Sequence, residues 1–327
     1  MRRFEVRAER WPLPIPFVIA RMAQTHGEVV VVELSQEGAT GRGEADRADA
    51  HDPNHVPVVE EIEAMRAALE GGVDRGTLQG LMPPGPARSA IDTALWDLDA
   101  KLRGRPVWER AGLPDVLRPV TTVFTIGLDT PERMAAKAAA NLDRPVLKLK
   151  LGGEGDPDRV AAVRAVAPQA RISVDANTGW TEAQLHEFMP LLKAHRVELI
   201  EQPFPPGQDA LLDGVDRAVP IAADESCLDR STLPDLVGRY DYINIKIDKA
   251  GGLTEALALA REAKAAGFGI MVGCNIGTSL AMAPGMVVAQ LATFVDLDGP
   301  LLLSEDREHG LIYDGGIVFP PDPALWG

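Results

Sequence analysis

The chain has 327 residues, a formal net charge of −15, 46% hydrophobic residues and two cysteines. At roughly 100–200 residues per domain, this length fits two domains or one large barrel with an accessory, and the apolar fraction excludes global disorder. The acidic balance argues against a nucleic-acid partner, because phosphates would be repelled, and Cys227 and Cys274 are too few for a disulfide framework, which fits a reduced, cytoplasmic protein.

The N-terminus, MRRFEVRAERW, begins basic, but Glu5 and Glu9 interrupt it and no long apolar core follows, so it does not read as a secretory signal. Strands are expected over 4–8 and over 28–34, where EVVVVEL is a β-branched run closed by a Gln36-Glu37-Gly38 turn. An amphipathic helix is expected over 57–71, stopped by Gly71-Gly72. After the breaker Pro83-Pro84-Gly85-Pro86, a strong helix over 87–102 carries Ile91, Leu95, Leu98 and Leu102 on one stripe and ends at Gly104. Strands followed by helices make an α+β domain of residues 1–115.

From about Val120 the pattern becomes alternating strand and helix. Strands are expected at 120–125, 146–150, 171–175, 197–201, 220–224, 242–246, 269–273 and 294–298, with helices such as 132–141, 157–167, 182–194 and 253–266 between them. Eight such units imply a closed parallel barrel over 116–303. The stretch 265–295 carries no charge, but Gly267, Gly269, Gly273, Asn275 and Pro284 break it. It reads as strand, loop, helix and strand rather than as a membrane span. There is no Gly-rich dinucleotide loop and no P-loop, which argues against a dehydrogenase. Residues 304–327 do not fit another unit and are expected to return to the first domain.

The informative residues end the strands. Lys148 and Lys150 close the second, Asp175 the third, Glu201 the fourth, Asp224 the fifth, Lys246 the sixth, and Asp296 and Asp298 the eighth. Each step is one βα unit, so the fold gathers them at the C-terminal mouth, where parallel barrels carry their active sites. One such aspartate is commonly a helix cap or loop residue. Three carboxylates in step with the repeat would repel one another, and a bound cation resolves that. Asp175, Glu201 and Asp224 are hard oxygen ligands without His or Cys, which favours Mg²⁺, or Mn²⁺, over Zn²⁺.

Lys148 and Lys150 share a face by alternation, and Lys246 comes from the opposite side of an eight-strand ring. Two amines would flank a substrate at the metal, one to remove a proton from one face of a carbon and one to return it to the other. Such a lysine is expected to have a lowered pKa beside a cation and other lysines. Lys249 reads as a partner of a carboxylate at the mouth. Asp296 and Asp298 have two readings that spacing leaves open: a site for a substrate ammonium, or a simple turn at Asp298-Gly299-Pro300.

With these residues in view, the chain resembles the enolase superfamily, in its muconate-lactonising branch. The carriers are VLKLK, VDANTGW, IEQP, ADES and NIKIDKAGGLTEA across the barrel, and WPLPIPFVIAR, EVVVVELSQEGATGRGE and RSAIDTALWDLDAK in the first domain. The resemblance implies a (β/α) barrel of modified TIM type, about (β/α)7β, with an α+β capping domain completed by residues 304–327. FVDLDGP with NIKIDKAGGL looks most like dipeptide epimerases of the L-Ala-D/L-Glu epimerase type. Carried over, Asp175, Glu201 and Asp224 would ligate Mg²⁺, and Lys150 and Lys246 would be the two acid/base catalysts. Lys148 would steady the enediolate's charge, and Asp296 and Asp298 would bind the dipeptide's ammonium. The implied reaction is a 1,1-proton transfer at the Cα of the C-terminal residue.

The departures bear on substrate choice. Gln24 stands where epimerases of acidic dipeptides carry a basic residue, and residues 43–55 (GEADRADAHDPNH) are acidic. The loop GCNIGTS places Asn275 and Ile276 beside the mouth. These residues suggest a neutral or cationic second residue rather than L-Ala-L-Glu, although Asp46, Asp49 and Asp52 also read as solvated loop charges. The same scaffold serves N-acyl amino acid racemases, o-succinylbenzoate synthases and cycloisomerases, and a non-catalytic metal-binding protein is the remaining alternative. The expected partner is a small molecule, with no nucleic acid and no membrane; exposed barrel helices leave room for a homo-oligomer.

Overall fold

The computed structural model describes residues 2–20, 22–47, 57–113 and 116–327. Residue 115, the expected domain boundary, and Asp49 and Asp52 of the acidic segment lie outside the described residues. Three antiparallel strands come first: β1 (Arg3–Ile19), β2 (Met22–Gln36) and β3 (Ala39–Asp46). β1 runs well past the expected 4–8, with its register disturbed between Pro12 and Phe17. Pro12, Pro14 and Pro16 lack the N–H that a regular ladder needs.

β2 explains its own continuous apolar run. Val30, Val32 and Leu34 pack into one core with Ile62, Leu69, Ile91 and Leu98, while Val29 and Val31 belong to the barrel's core. Both faces are buried, so alternation is lost. The helix expected over 57–71 is two pieces, α1 (Val58–Ala64) and α2 (Arg66–Glu70). At Met65 the N–H reaches back only to the Ile62 carbonyl, a tightened turn that leaves Val58, Ile62 and Leu69 all buried.

α3 (Arg75–Leu81), α4 (Pro86–Arg103) and α5 (Val107–Arg110) follow. α4 lies directly on β3. A Cβ at Gly43 would meet the Ala90 carbonyl at 2.1 Å, and one at Gly41 the Ala94 carbonyl at 2.3 Å, so only glycine lets the backbones approach this closely. The C-terminal residues run back over α4. The Trp326 indole donates to the Thr93 carbonyl at 3.1 Å, and the Gly327 N–H donates to Asp97 Oδ1 at 2.8 Å.

The expected strand over 120–125 divides. β4 (Val120–Thr121) leaves the barrel sheet, and the first barrel strand is β5 (Phe124–Ile126). The sheet continues through β6 (Val146–Lys150), β7 (Arg171–Asp175), β8 (Val197–Glu201), β9 (Ile221–Ala223), β10 (Tyr242–Lys246), β11 (Gly269–Gly273) and β12 (Phe294–Val295), all parallel and in sequential order. The Val123 N–H donates to the Val295 carbonyl at 2.9 Å and links the first strand region to the last. β4 pairs instead with the late hairpin β13 (Tyr313–Asp314) and β14 (Ile317–Val318). The fold is thus of enolase type, a curled eight-strand parallel sheet with an N-terminal antiparallel capping domain.

α6 (Pro131–Ala139), α7 (Asp156–Val166), α8 (Glu182–Ala194), α9 (Leu233–Leu236), α10 (Ile247–Ala250), α11 (Leu253–Ala265) and α12 (Ser279–Ala289) cover the sheet. The uncharged stretch 265–295 resolves into β11, α12 and β12. No helix among the described residues is long and apolar enough to cross a membrane.

Candidate active site

Period-2 alternation on β6 turns Lys148 and Lys150 to the same side, and the strand is buried throughout. Lys148 Nζ lies 2.6 Å from Asp296 Oδ2, 2.7 Å from Glu201 Oε2 and 3.2 Å from Asp175 Oδ2. Lys150 Nζ lies 2.6 Å from Asp175 Oδ2. Across the mouth, Lys246 Nζ pairs with Asp224 Oδ2 at 2.8 Å, and Lys249 pairs with Asp224 Oδ1 at 2.5 Å. β7, β8 and β9 occupy the arc between the β6 lysines and Lys246, so the three carboxylates stand between the amines.

Lys150, Lys246, Asp224, Asp296 and Asp298 line one pocket of about 290 Å³, together with Gln24 and Asn275. Asp175, Glu201 and Lys148 are buried against residues of that lining. Gln24 reaches the pocket from β2, near Phe17, Ile19 and Met22 of the capping sheet. The Asn275 amide donates to Asp46 Oδ2 at 3.0 Å and so ties the loop after β11 to the end of β3.

Asp298 has features of both readings, since its backbone opens the turn while its side chain points elsewhere. It precedes a 3₁₀ turn (Gly299–Leu302), yet its side chain makes no cap to that turn. Its carboxylate faces inward, where Oδ2 accepts the Thr125 N–H at 2.6 Å. Burial, then the neighbouring Asp296, pushes Asp298 up to about 7. Two buried carboxylates side by side favour any cation that can lie between or above them.

The other ionisable groups follow the same logic. Burial raises Glu201, and Asp175 adds to it, to about 8. Burial would raise Asp175 too, but Lys150 and Lys148 outweigh it and hold it at about 2. Asp224 is likewise driven well below the carboxylate range by Lys246 and Lys249 despite its burial. At Lys246 the protein's own groups act in opposite directions, apart from the expected effect of a bound cation. Burial lowers the amine, but Asp224 and Glu201 exceed it and hold the amine above its ordinary range. Lys148 is also held well above its ordinary value: burial lowers it, but Asp296, Glu201 and Asp175 outweigh that.

Six carboxyl groups (Asp175, Glu201, Asp224, Glu225, Asp296, Asp298) face four amines (Lys148, Lys150, Lys246, Lys249), a formal excess of two acids, in keeping with the raised values of Glu201 and Asp298. The donors on β7, β8 and after β9 are all carboxylate oxygens. That set suits a hard divalent cation, so the donor chemistry of Asp175, Glu201 and Asp224 is compatible with the expected metal, while the group of acid and thiol ligands whose atoms lie within 4.8 Å of one another among the described residues is Cys274, Asp296 and Asp298. Cys274, beside Asp296 and Asp298, is a free thiol.

Several participants were not read from the sequence. The Asn244 amide donates to Glu201 Oε1 at 2.8 Å. It lies two residues before Lys246 on β10, so alternation could have found it. Gln202 has a left-handed backbone, with φ of 37°. Its side-chain oxygen accepts the Asp224 N–H at 2.8 Å and the Ser226 N–H at 3.1 Å, fixing the turn that presents Asp224. No periodicity announces that residue.

Comparison with known proteins agrees with this geometry. Residues 133–323 match the family described as enolase C-terminal domain-like, and residues 1–112 match the mandelate racemase / muconate lactonizing enzyme N-terminal domain. The chain is similar to the L-Ala-D/L-Glu epimerase of Escherichia coli K12, 41% identical over 97% of this chain and 99% of that one. It is similar to the N-acetyl-D-glutamate racemase of a Pseudoalteromonas species, 44% identical over 75% of this chain and 78% of that one. A crystal structure from Agrobacterium tumefaciens, an enolase family member with homology to dipeptide epimerases and with bound sodium and L-Ala-L-Glu, superposes with a TM-score of 0.97. It is 46% identical, with full coverage of both chains.

Proposed function

The chain belongs to the mandelate racemase / muconate lactonizing enzyme family of the enolase superfamily, and from that premise we propose that it is a metal-dependent dipeptide epimerase inverting the Cα of the C-terminal residue of an L,L-dipeptide. It is an isomerase of amino acid derivatives. The observation that carries the reading is the one pocket lined by Lys150 and Lys246 from opposite sides, with Asp296 and Asp298 at its edge. In this reading residues 1–115 with 304–327 cap the catalytic barrel of residues 116–303.

Asp175, Glu201 and Asp224 would hold the metal, Mg²⁺ or Mn²⁺. When bound, it supplies a Lewis acid that stabilises negative charge on the substrate carboxylate. Asp296 and Asp298 receive the N-terminal ammonium by charge-assisted hydrogen bonds. One of Lys150 and Lys246, as the neutral amine, takes the Cα proton. The other, as the ammonium, delivers a proton to the opposite face. Lys148 is fully buried and paired to three carboxylates. It acts as a fixed positive charge against the developing enediolate and not as a base.

The side chain of the second residue is not restricted to glutamate. Gln24, Glu28 and Asp46 line that end of the pocket, an amide and two carboxylates. Arg10 and Arg47 approach Glu28 at 3.4 Å and 3.8 Å. The likeness to the Agrobacterium structure favours a second reading, in which acidic dipeptides alone react. The likeness to the N-acetyl-D-glutamate racemase favours a third, in which the substrate carries no free amine.

Proton NMR in D₂O with Mg²⁺ tests all three. Loss of the Cα–H signal is expected with L-Ala-L-Glu, L-Ala-L-Leu and L-Ala-L-Lys. Exchange confined to L-Ala-L-Glu selects the acidic reading. Exchange of N-acetylglutamate but of no dipeptide removes the epimerase reading altogether.

A further inference from the structure

A cleft of about 590 Å³ runs along α4 between the end of β2, the start of α3 and α5, and shares no lining residue with the barrel mouth. At its centre three guanidinium groups converge on one carboxylate, Asp99. Arg103 Nε lies 2.6 Å from Oδ1 and Arg75 Nη2 3.3 Å from Oδ2, and Arg110 Nη2 also pairs with Oδ2. Arg2 borders the same cleft. Asp74, the other acid there, is engaged in capping α3, where it accepts the Thr77 N–H at 2.7 Å.

Two features mark this cluster as incomplete. Arg75 Nη1 and Arg110 Nε are buried and have no hydrogen-bond partner. Buried guanidinium donors ordinarily find acceptors, and a planar fork offers them in pairs. Secondly, four cations (Arg2, Arg75, Arg103, Arg110) line the cleft against Asp74 and Asp99, with Asp92 behind Arg75, in a chain whose formal charge is −15. Cations therefore outnumber anions here, against the sign of the molecule. Arg75 is held in place by stacking on the Trp96 ring, 3.4 Å from its centroid, so the cluster cannot simply swing apart. Burial, together with Arg110 and Arg103, lowers its pKa even with Asp99 beside it.

We propose that this cleft is a second ligand site, which binds a small dianion through Arg75, Arg103 and Arg110. The chemistry that would be recognised is a compact group with two negative charges, a phosphoryl dianion or a dicarboxylate. The ligand lies next to Trp96, whose indole N–H donates to Thr254 Oγ1 at the start of α11 at 2.9 Å. Occupancy is therefore felt at a contact between the capping helices and the barrel. The proposal is independent of the catalytic reading.

Calorimetric titration of the full chain in chloride buffer with inorganic phosphate, and separately with succinate, tests it. One saturable site is expected for at least one of the two, weakened about tenfold or more in Arg110→Gln and in Arg75→Gln. Lys150→Ala, at the barrel mouth, is expected to bind as the unaltered chain does. If Arg110→Gln does not fold, Arg110→Lys keeps the charge and loses the fork, with a loss of about threefold to tenfold expected. Binding of phosphate alone or succinate alone names the source and supports the proposal. No saturable binding of either up to about 10 mM, an affinity weaker than about 3 kcal/mol, overturns it, as does binding unchanged in both arginine variants.

Discussion

At Asp298 a buried carboxylate sits beside a second one, and Lys148 neutralises only part of the pair. In the proposed function a substrate ammonium would complete the balance. Asp298→Asn keeps the shape and removes one charge, so KM for a dipeptide is expected to rise about tenfold or more, with a smaller change in kcat. Steady-state kinetics by polarimetry checks this, and an equal fall in kcat with KM unchanged would place Asp298 outside ground-state binding. At the lysines the two faces of Cα separate. Lys150→Arg and Lys246→Arg are each expected to lose net epimerisation by about a thousandfold or more. Each is also expected to retain solvent exchange at Cα for one epimer, a different one in the two variants. Exchange of both epimers in either variant, read by NMR, would sink the two-base scheme. The lysines and the three carboxylates are legible in the sequence because each ends a strand in a repeating unit. Asn244 is within reach of the same alternation, two residues before Lys246, but Gln202 is not legible, because its part is to hold other residues through hydrogen bonds that only the folded backbone arranges.

At the scale of elements, the contact of α4 with β3 is the closest in the first domain. Gly43→Ala would drive a methyl group into the Ala90 carbonyl, and a loss of about 3 kcal/mol or more in urea unfolding is expected. An unchanged midpoint would mean that the helix can lift away. On the other side of α4, Asp92 accepts the Thr254 N–H at 2.9 Å and the Thr254 hydroxyl at 2.6 Å. Burial nevertheless raises Asp92 to about 6. Its contribution is most favourable below the unfolded value near 4 and is lost as pH rises through about 6. Between pH 5 and pH 8 it costs the fold on the order of 1 kcal/mol. Asp92→Asn removes that slope, so the stability difference between the two chains should shift by this amount over the interval. A difference that does not change with pH would place an ordinary carboxylate there. Sequence periodicity shows most elements to within a residue or two. It fails at 57–71 and 120–125, where the outcome is decided from outside the segment: by burial beneath Met65, and by a hairpin nearly 200 residues further on that captures Val120–Thr121.

For the whole molecule, the capping sheet, barrel and C-terminal residues share their packing. β2 gives one face to each core, and Arg307 near the other end pairs with Glu44 of β3 and with Glu9 of β1, both at 2.6 Å. Trp326 is fully buried against α4. Trp326→Ala should therefore lower stability by about 3–5 kcal/mol, in a single unfolding transition with the same midpoint by fluorescence and by circular dichroism. Two separated transitions would show that the parts fold independently. The seat of Trp326 also has a consequence for the order of events during synthesis. The helix that receives it leaves the ribosome more than 200 residues before it does, so the first-made part of the protein waits, with an open slot over Thr93, until Trp326 has been made and has emerged. A nascent chain stalled before Trp326 would be held in that unfinished state, exposed to chaperones and proteases that the folded molecule excludes.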